Sequence, residues 1–190
     1  MNENLDLFEK VINKTIPKVD YVDIRAGNGN NTSIIMKDGE VQEINTGNSL
    51  GIRIRVLNNG AWGFAYTNDL SKLDEIAQTS IKISNSLKGD ESLSKADIIQ
   101  DKVSTDVKIP FSDVSIEEKK EIMSKASKAA SLKEVTSTTV SYSDSQSQEI
   151  ILSSEGTSIE MNTNRVAMFL NAAASDGTMM QIGHNSIGGV

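Results

Sequence analysis

The side chains best suited to chemistry here are Arg53, Arg55, Trp62, Phe64 and Tyr66, all within the run GIRIRVLNNGAWGFAYT at 51–67. The arginines stand two positions apart, and the aromatic residues alternate with Gly63 and Ala65. Asn59-Gly60 separates the two groups, and Asn-Gly between alternating runs favours a two-residue hairpin turn. With that turn Leu57 pairs with Trp62, Arg55 with Phe64 and Arg53 with Tyr66, because residues directly opposite share a face. Guanidinium groups can then sit over aromatic rings, each contact contributing about 0.5–1 kcal/mol when exposed. Ile52, Ile54, Val56, Gly63 and Ala65 form the opposite face, flat enough for a helix to lie against it. A three-residue loop would reverse the parity and bury the aromatics with the isoleucines. The chemistry offered is recognition, by a face that meets either an extended peptide or a protein partner.

Reactive chemistry finds little support elsewhere. His184, in QIGHNSIGG, is the single histidine, and there is no cysteine. A catalytic triad needs a histidine held by a neighbour, and a catalytic zinc usually takes three protein ligands with an open fourth position. A partly exposed histidine on a frayed tail is the simpler expectation. GNGNN at 27–31 has Thr32 where a dinucleotide fingerprint needs its third glycine, and a strand follows it instead of a helix. Glu117 and Glu118, like Asp74 and Glu75, fall in first helical turns, where the helix dipole stabilises negative charge. The hydroxyl-rich STTVSYSDSQSQ at 137–148 has no base beside it and reads as a solvated strand face.

The charge balance, 26 acids against 19 bases for a net −7, argues against direct nucleic-acid binding, which rests on clustered Lys and Arg. The absence of thiols removes disulfides and cysteine zinc sites together and fits a reducing compartment. MNENLDLFEKVINK carries acids early and no apolar run of signal-peptide length, and no stretch approaches a membrane span. These features point to the cytoplasm.

The elements that must position the arginine and aromatic residues follow from periodicity. Leu5, Phe8, Ile12 and Ile16 mark a first helix over 3–16, stopped by Pro17. YVDIRAG, TSIIMKDG and EVQEINTG read as short strands separated by turns at 27–31, Asp38-Gly39 and Gly47. A second helix is expected over 71–88, capped by Ser71 and ended by Gly89, and it is the natural cover for the Ile/Val/Gly/Ala face. Residues 90–111 read as a linker with a short strand at 103–109. Ser115 and Glu118 form a capping-box signature for a third helix, and a β-meander follows. The fold class is α+β, with antiparallel sheets, helices packed on one face and two α/β subdomains. The division is 1–89, linker 90–111, and 112–190.

The run from YVDIRAG to ISNSL resembles the N-terminal domain of the TldD/PmbA family, described as modulators of DNA gyrase that are cytoplasmic zinc metallopeptidases. The residues that carry it are the Asp23-x-Arg25 strand, the DGEV turn at 38–41 and GIRIRVLNNGAWGFAYTND at 51–69. The GAWGFA form is closer to the TldD branch, and residues from about 112 resemble the family's middle domain. The resemblance implies a homo- or heterodimer with a TldD/PmbA-type subunit, enclosing a cavity that admits extended polypeptide. It also implies a zinc held by an H-E-x-x-x-H helix in a C-terminal domain. That motif does not occur in this sequence, so no catalytic or metal residue is carried over and His184 matches neither zinc-binding histidine. The expected role is the non-catalytic N-terminal portion of such a metallopeptidase, contributing scaffold, dimer contacts and cavity surface for proteolysis. The alternative is a stand-alone protein-interaction module without the peptidase half, and a carboxylate-based hydrolase is the weakest reading.

Overall fold

A computed structural model describes residues 4–189. The described elements run α1 (Leu5–Thr15), β1 (Tyr21–Lys37), β2 (Glu40–Asn58), β3 (Ala61–Thr67), α2 (Leu73–Ser86), β4 (Gln100–Ser104), α3 (Ile116–Ala130), β5 (Val135–Ser153), β6 (Ser158–Ser175) and β7 (Met180–Gly189). The strands pair in the order β3-β2-β1-β5-β6-β4, with β7 also on β6. Pairing is antiparallel except for β4, which runs parallel to β6. The α+β class expected from the pattern is the class observed.

The strands are longer than local signals suggest. No residue in 27–31 takes a positive φ, and β1 runs straight through the stretch expected to turn. A central strand gains ladder hydrogen bonds from neighbours on both sides, here β2 and β5, and these outweigh a local turn preference. The expected break at Gly47 is likewise absent, so β2 is continuous. The turn at Asp38-Gly39, with φ of 51° and 83°, forms as its sequence demands. β7 extends through His184, which therefore lies within a strand rather than on a frayed tail.

Contacts gather the chain into two compact units, and neither is a continuous stretch of sequence. The first comprises residues 4–29, 49–104 and 147–162. Its core joins Phe8, Val11 and Ile12 of α1 with the inward rows Val22, Ile24, Ala26 and Ile52, Ile54, Val56. Leu73, Ile76, Ala77 and Ile81 of α2 complete it, with Ile150 and Leu152. Helix α2 begins after a 3₁₀ turn whose cap is Asp69, not Ser71: its carboxylate accepts the Ser71 N–H at 2.9 Å. It ends at Ser86, with Leu87 already extended and Gly89 three residues beyond. Residues 88–99 carry no regular structure and are exposed, and the strand expected at 103–109 forms at 100–104 instead.

The second unit comprises residues 30–48, 105–146 and 163–189. Ile34, Met36, Val140 and Tyr142 pack against Met123 of α3. The α3 capping box is complete: Glu118 N–H donates to Ser115 Oγ at 3.2 Å, and Ser115 N–H donates to Glu118 Oε2 at 2.8 Å.

Candidate functional site

The hairpin adopts the pairing that Asn59-Gly60 favours. Leu57 lies opposite Trp62, Arg55 opposite Phe64 and Arg53 opposite Tyr66. Both turn residues have positive φ, 50° and 72°, which suits a turn that matches the strand twist. Ile52, Ile54 and Val56 point into the first unit's core. On the same side Gly63 lies so close beneath α2 that a β-carbon there would overlap the Ser80 carbonyl oxygen. Ser80 reinforces the contact by donating its hydroxyl to the Ile54 carbonyl at 3.1 Å. The face thus buried is the one expected to meet the second helix.

Arg53, Arg55, Trp62, Phe64 and Tyr66 come together on the opposite face. The Arg55 guanidinium sits 4.3 Å from the centroid of the Trp62 ring, and Arg53 sits 5.9 Å from that of Phe64. Phe64 and Tyr66 stack at 6.3 Å, while Tyr21 meets Trp62 edge-on at 6.0 Å. Phe64 is 47% exposed and Tyr66 76%, so the outer end of this row faces solvent.

Asp23 anchors the arrangement. Arg55 donates through Nε and Nη2 to Asp23 Oδ2, both at 2.8 Å, and Asp23 is only 2% exposed. Its Oδ1 is buried without a hydrogen-bond partner, as is Nε of Arg53. Burial, followed by the Asp23 charge, pushes the Tyr21 hydroxyl above the ordinary tyrosine range. The anchoring role of Asp23 was missed in the pattern, although the signal was present. In YVDIRA the apolar Val22, Ile24 and Ala26 alternate with Tyr21, Asp23 and Arg25, which places an acid on the arginine face.

The second unit holds a different polar cluster. Lys119 of α3 and Asp144 of β5 form a buried ion pair at 2.7 Å, and the Tyr142 hydroxyl donates to the same carboxylate. Asp144 also lines an open cleft of about 540 Å³ with Asn31, Thr32, Ser143 and Arg165.

His184 lies on β7 opposite Asn171 and is exposed. Among the described residues no three His, Asp or Glu side chains converge as a metal ion would require, so the donor set does not fit zinc. Nor is any helix of the described residues long and apolar enough to cross a membrane.

Comparison with known proteins matches this architecture along the chain. The family model for PmbA/TldA metallopeptidase domain 1 matches residues 22–84, and that for the PmbA/TldA metallopeptidase central domain matches 109–190. A metalloprotease of Methanothermobacter thermautotrophicus is 47% identical over 189 residues, covering 100% of this chain and 42% of the relative. One from Methanocaldococcus jannaschii is 35% identical, covering 98% and 42%. The chain therefore spans about two fifths of the length of these curated relatives. A Bacteroides thetaiotaomicron protein solved as a modulator of DNA gyrase superposes with a TM-score of 0.82 at 17% identity, over 99% of this chain and 45% of that one. TldE of Thermococcus kodakarensis superposes with a TM-score of 0.74 at 14% identity, over 95% and 42%. On these matches, the chain belongs to the PmbA/TldD metallopeptidase family, of which it carries the first and central domains.

Proposed function

We propose that this chain is the non-catalytic scaffold of a TldD/PmbA-type metallopeptidase working in the cytoplasm. It supplies dimer contacts and part of the wall of a cavity that receives extended polypeptide. Residues 1–89 and 112–190 serve as its two inherited domains, with 90–111 joining them. The zinc chemistry belongs to residues outside this chain, and its dimer partner is a subunit of TldD/PmbA type. The supporting observation is the solvent-facing pair Phe64 and Tyr66 beside the half-buried Arg53, on a face held by the Asp23–Arg55 anchor in a sheet whose other side is fixed by α2. A rigid, exposed aromatic and guanidinium surface suits polypeptide contact, because it offers large contact area at little entropic cost.

The test is hydrolysis of an unstructured peptide by the peptidase carrying this chain, with Phe64→Ala and Tyr66→Ala combined. Loss of binding common to substrate and transition state raises KM, by about tenfold for ~1.4 kcal/mol, and leaves kcat unchanged. An unchanged KM together with unchanged dimer mass would remove this face from the function.

A further inference from the structure

The register fixes which backbone groups of β3 are free. Across a two-residue turn Asn58 and Ala61 exchange hydrogen bonds, and every second pair does so thereafter. Ala61, Gly63, Ala65 and Thr67 are thus turned toward β2, while the N–H and C=O groups of Trp62, Phe64 and Tyr66 point away from it. Leu57 supports this phase, since its carbonyl is directed away from β3 and accepts the Asp20 N–H at 3.0 Å. β3 ends the strand order, so nothing in the sheet pairs with its outer side. Glu91 N–H bonds the Gly60 carbonyl at 3.0 Å and closes the turn end; from Trp62 onward no strand of the described residues pairs with this edge.

Natural edge strands are usually blunted by charge, proline or a bulge. β4, at the other end of the order, carries Asp101 and Lys102, whereas AWGFAYT has no charge and no proline. Such an edge is a template for strand addition.

The position of α2 selects the occupant. It lies directly over β3, with a β-carbon on Gly63 only 2.7 Å from Ser84 N. Paired strands stand roughly 4.8 Å apart, but packed helices need about 8–10 Å between axes. A second copy joined edge to edge would drive its own α2 into this one, while a strand without a helix fits. Asp74 meets Lys14 of α1 on one flank of α2. The 100° step per residue puts Thr79 and the partly exposed Ile83 on the opposite flank, above the free edge.

Charge narrows the choice further. Asp23 neutralises Arg55, whereas Arg53 has no carboxylate within ion-pair reach among the described residues. We propose that the free edge of β3 takes up one extended polypeptide segment as an added strand, hydrogen bonded to the backbones of Trp62, Phe64 and Tyr66. Acidic residues of that segment lie on the Arg53 side and apolar ones beneath Ile83. The inference rests on the polypeptide-contact reading of this face and names the groups that make the contact.

The test uses acetyl-EVEVEV-amide, its KVKVKV counterpart, and an EVEVEV version N-methylated at every residue, which keeps the side chains and loses the backbone N–H donor of each residue. Trp62 is the single tryptophan, so its fluorescence reports binding directly. The acidic peptide is expected to bind and to slow amide exchange at Phe64 and Tyr66 by about tenfold or more. The lysine peptide is expected to bind several-fold more weakly, and the N-methylated one not at all. Phe64→Pro removes an outward N–H without touching the β2 ladder and should abolish binding, while Phe64→Ala only weakens it. Equal binding of the N-methylated peptide would overturn strand addition and leave the contact face standing. No binding of any peptide to the natively folded chain would overturn both.

Discussion

Lys119 Nζ lies 2.7 Å from Asp144 Oδ2, and the two side chains retain only 5% and 6% of their exposure. The Tyr142 hydroxyl reaches the same oxygen at 2.7 Å, so one carboxylate oxygen joins a helix and a strand. Breaking a buried pair from one side leaves an uncompensated charge, at a cost of about 3–5 kcal/mol. Lys119→Met should lower the urea-unfolding free energy by that amount. The triple variant Lys119→Met, Asp144→Leu, Tyr142→Phe should recover most of it. A single variant as stable as the parent would show that the pair contributes no more than a surface contact.

Tyr142 gives the same cluster an alkaline limit. Burial first, then its hydrogen bond to Asp144 and the Asp144 charge, raise its pKa above the ordinary tyrosine value. Because the folded value is raised, the stabilisation is complete below pH ~10, where an unfolded tyrosine is still protonated, and is lost progressively above it. Thermal unfolding of the parent should therefore weaken more steeply above pH ~10 than that of Tyr142→Phe. Parallel curves for the two proteins would contradict this assignment.

Gly63 is required by proximity rather than by conformation, since it is not among the positive-φ residues. A methyl group there meets backbone atoms of Ser80 and Ser84, which cannot rotate away. Overpacking of this kind costs roughly 1–3 kcal/mol. Gly63→Ala should reduce the melting temperature by several degrees, and calorimetry can read the shift. An undiminished Tm would mean that α2 moves aside freely.

Ser115→Ala removes one half of the α3 capping box, and losing an N-cap hydroxyl costs about 1 kcal/mol. Ser115→Asp retains an acceptor and should remain near parent stability. Chemical denaturation of the two variants distinguishes a capping contribution from a general tolerance at the position.

The hairpin and the α3 cap were legible because their causes are local. Asn59-Gly60 dictates a turn, and Ser115 with Glu118 satisfies helix N–H groups within four residues of chain. GNGNN misled because its turn tendency is overridden by strands contributed from elsewhere. The Lys119–Asp144 pair was missed because its partners lie in different elements. Each nevertheless left a trace. Asp144 continues the inward even-numbered row of Val140 and Tyr142, and Lys119 stands one helical turn before the buried Met123. A charge on an otherwise apolar row was the available clue. The anchor at Asp23 left a different trace, an acid on the odd-numbered face of β1 between Tyr21 and the exposed Arg25, opposite the apolar row of Val22, Ile24 and Ala26.

Strands β1 and β5 each contribute to both compact units and hold a single phase throughout. In β1 the buried apolar rows are 22, 24, 26 and then 34, 36; in β5 they are 140, 142 and then 150, 152. The polar stretches between them, 27–33 and 145–149, are fixed in length by this phase. Removing one residue from either would turn the downstream half of the strand inside out, exchanging core for solvent face along its whole run. These stretches behave as spacers of fixed parity, and single-residue insertions or deletions there should be purged.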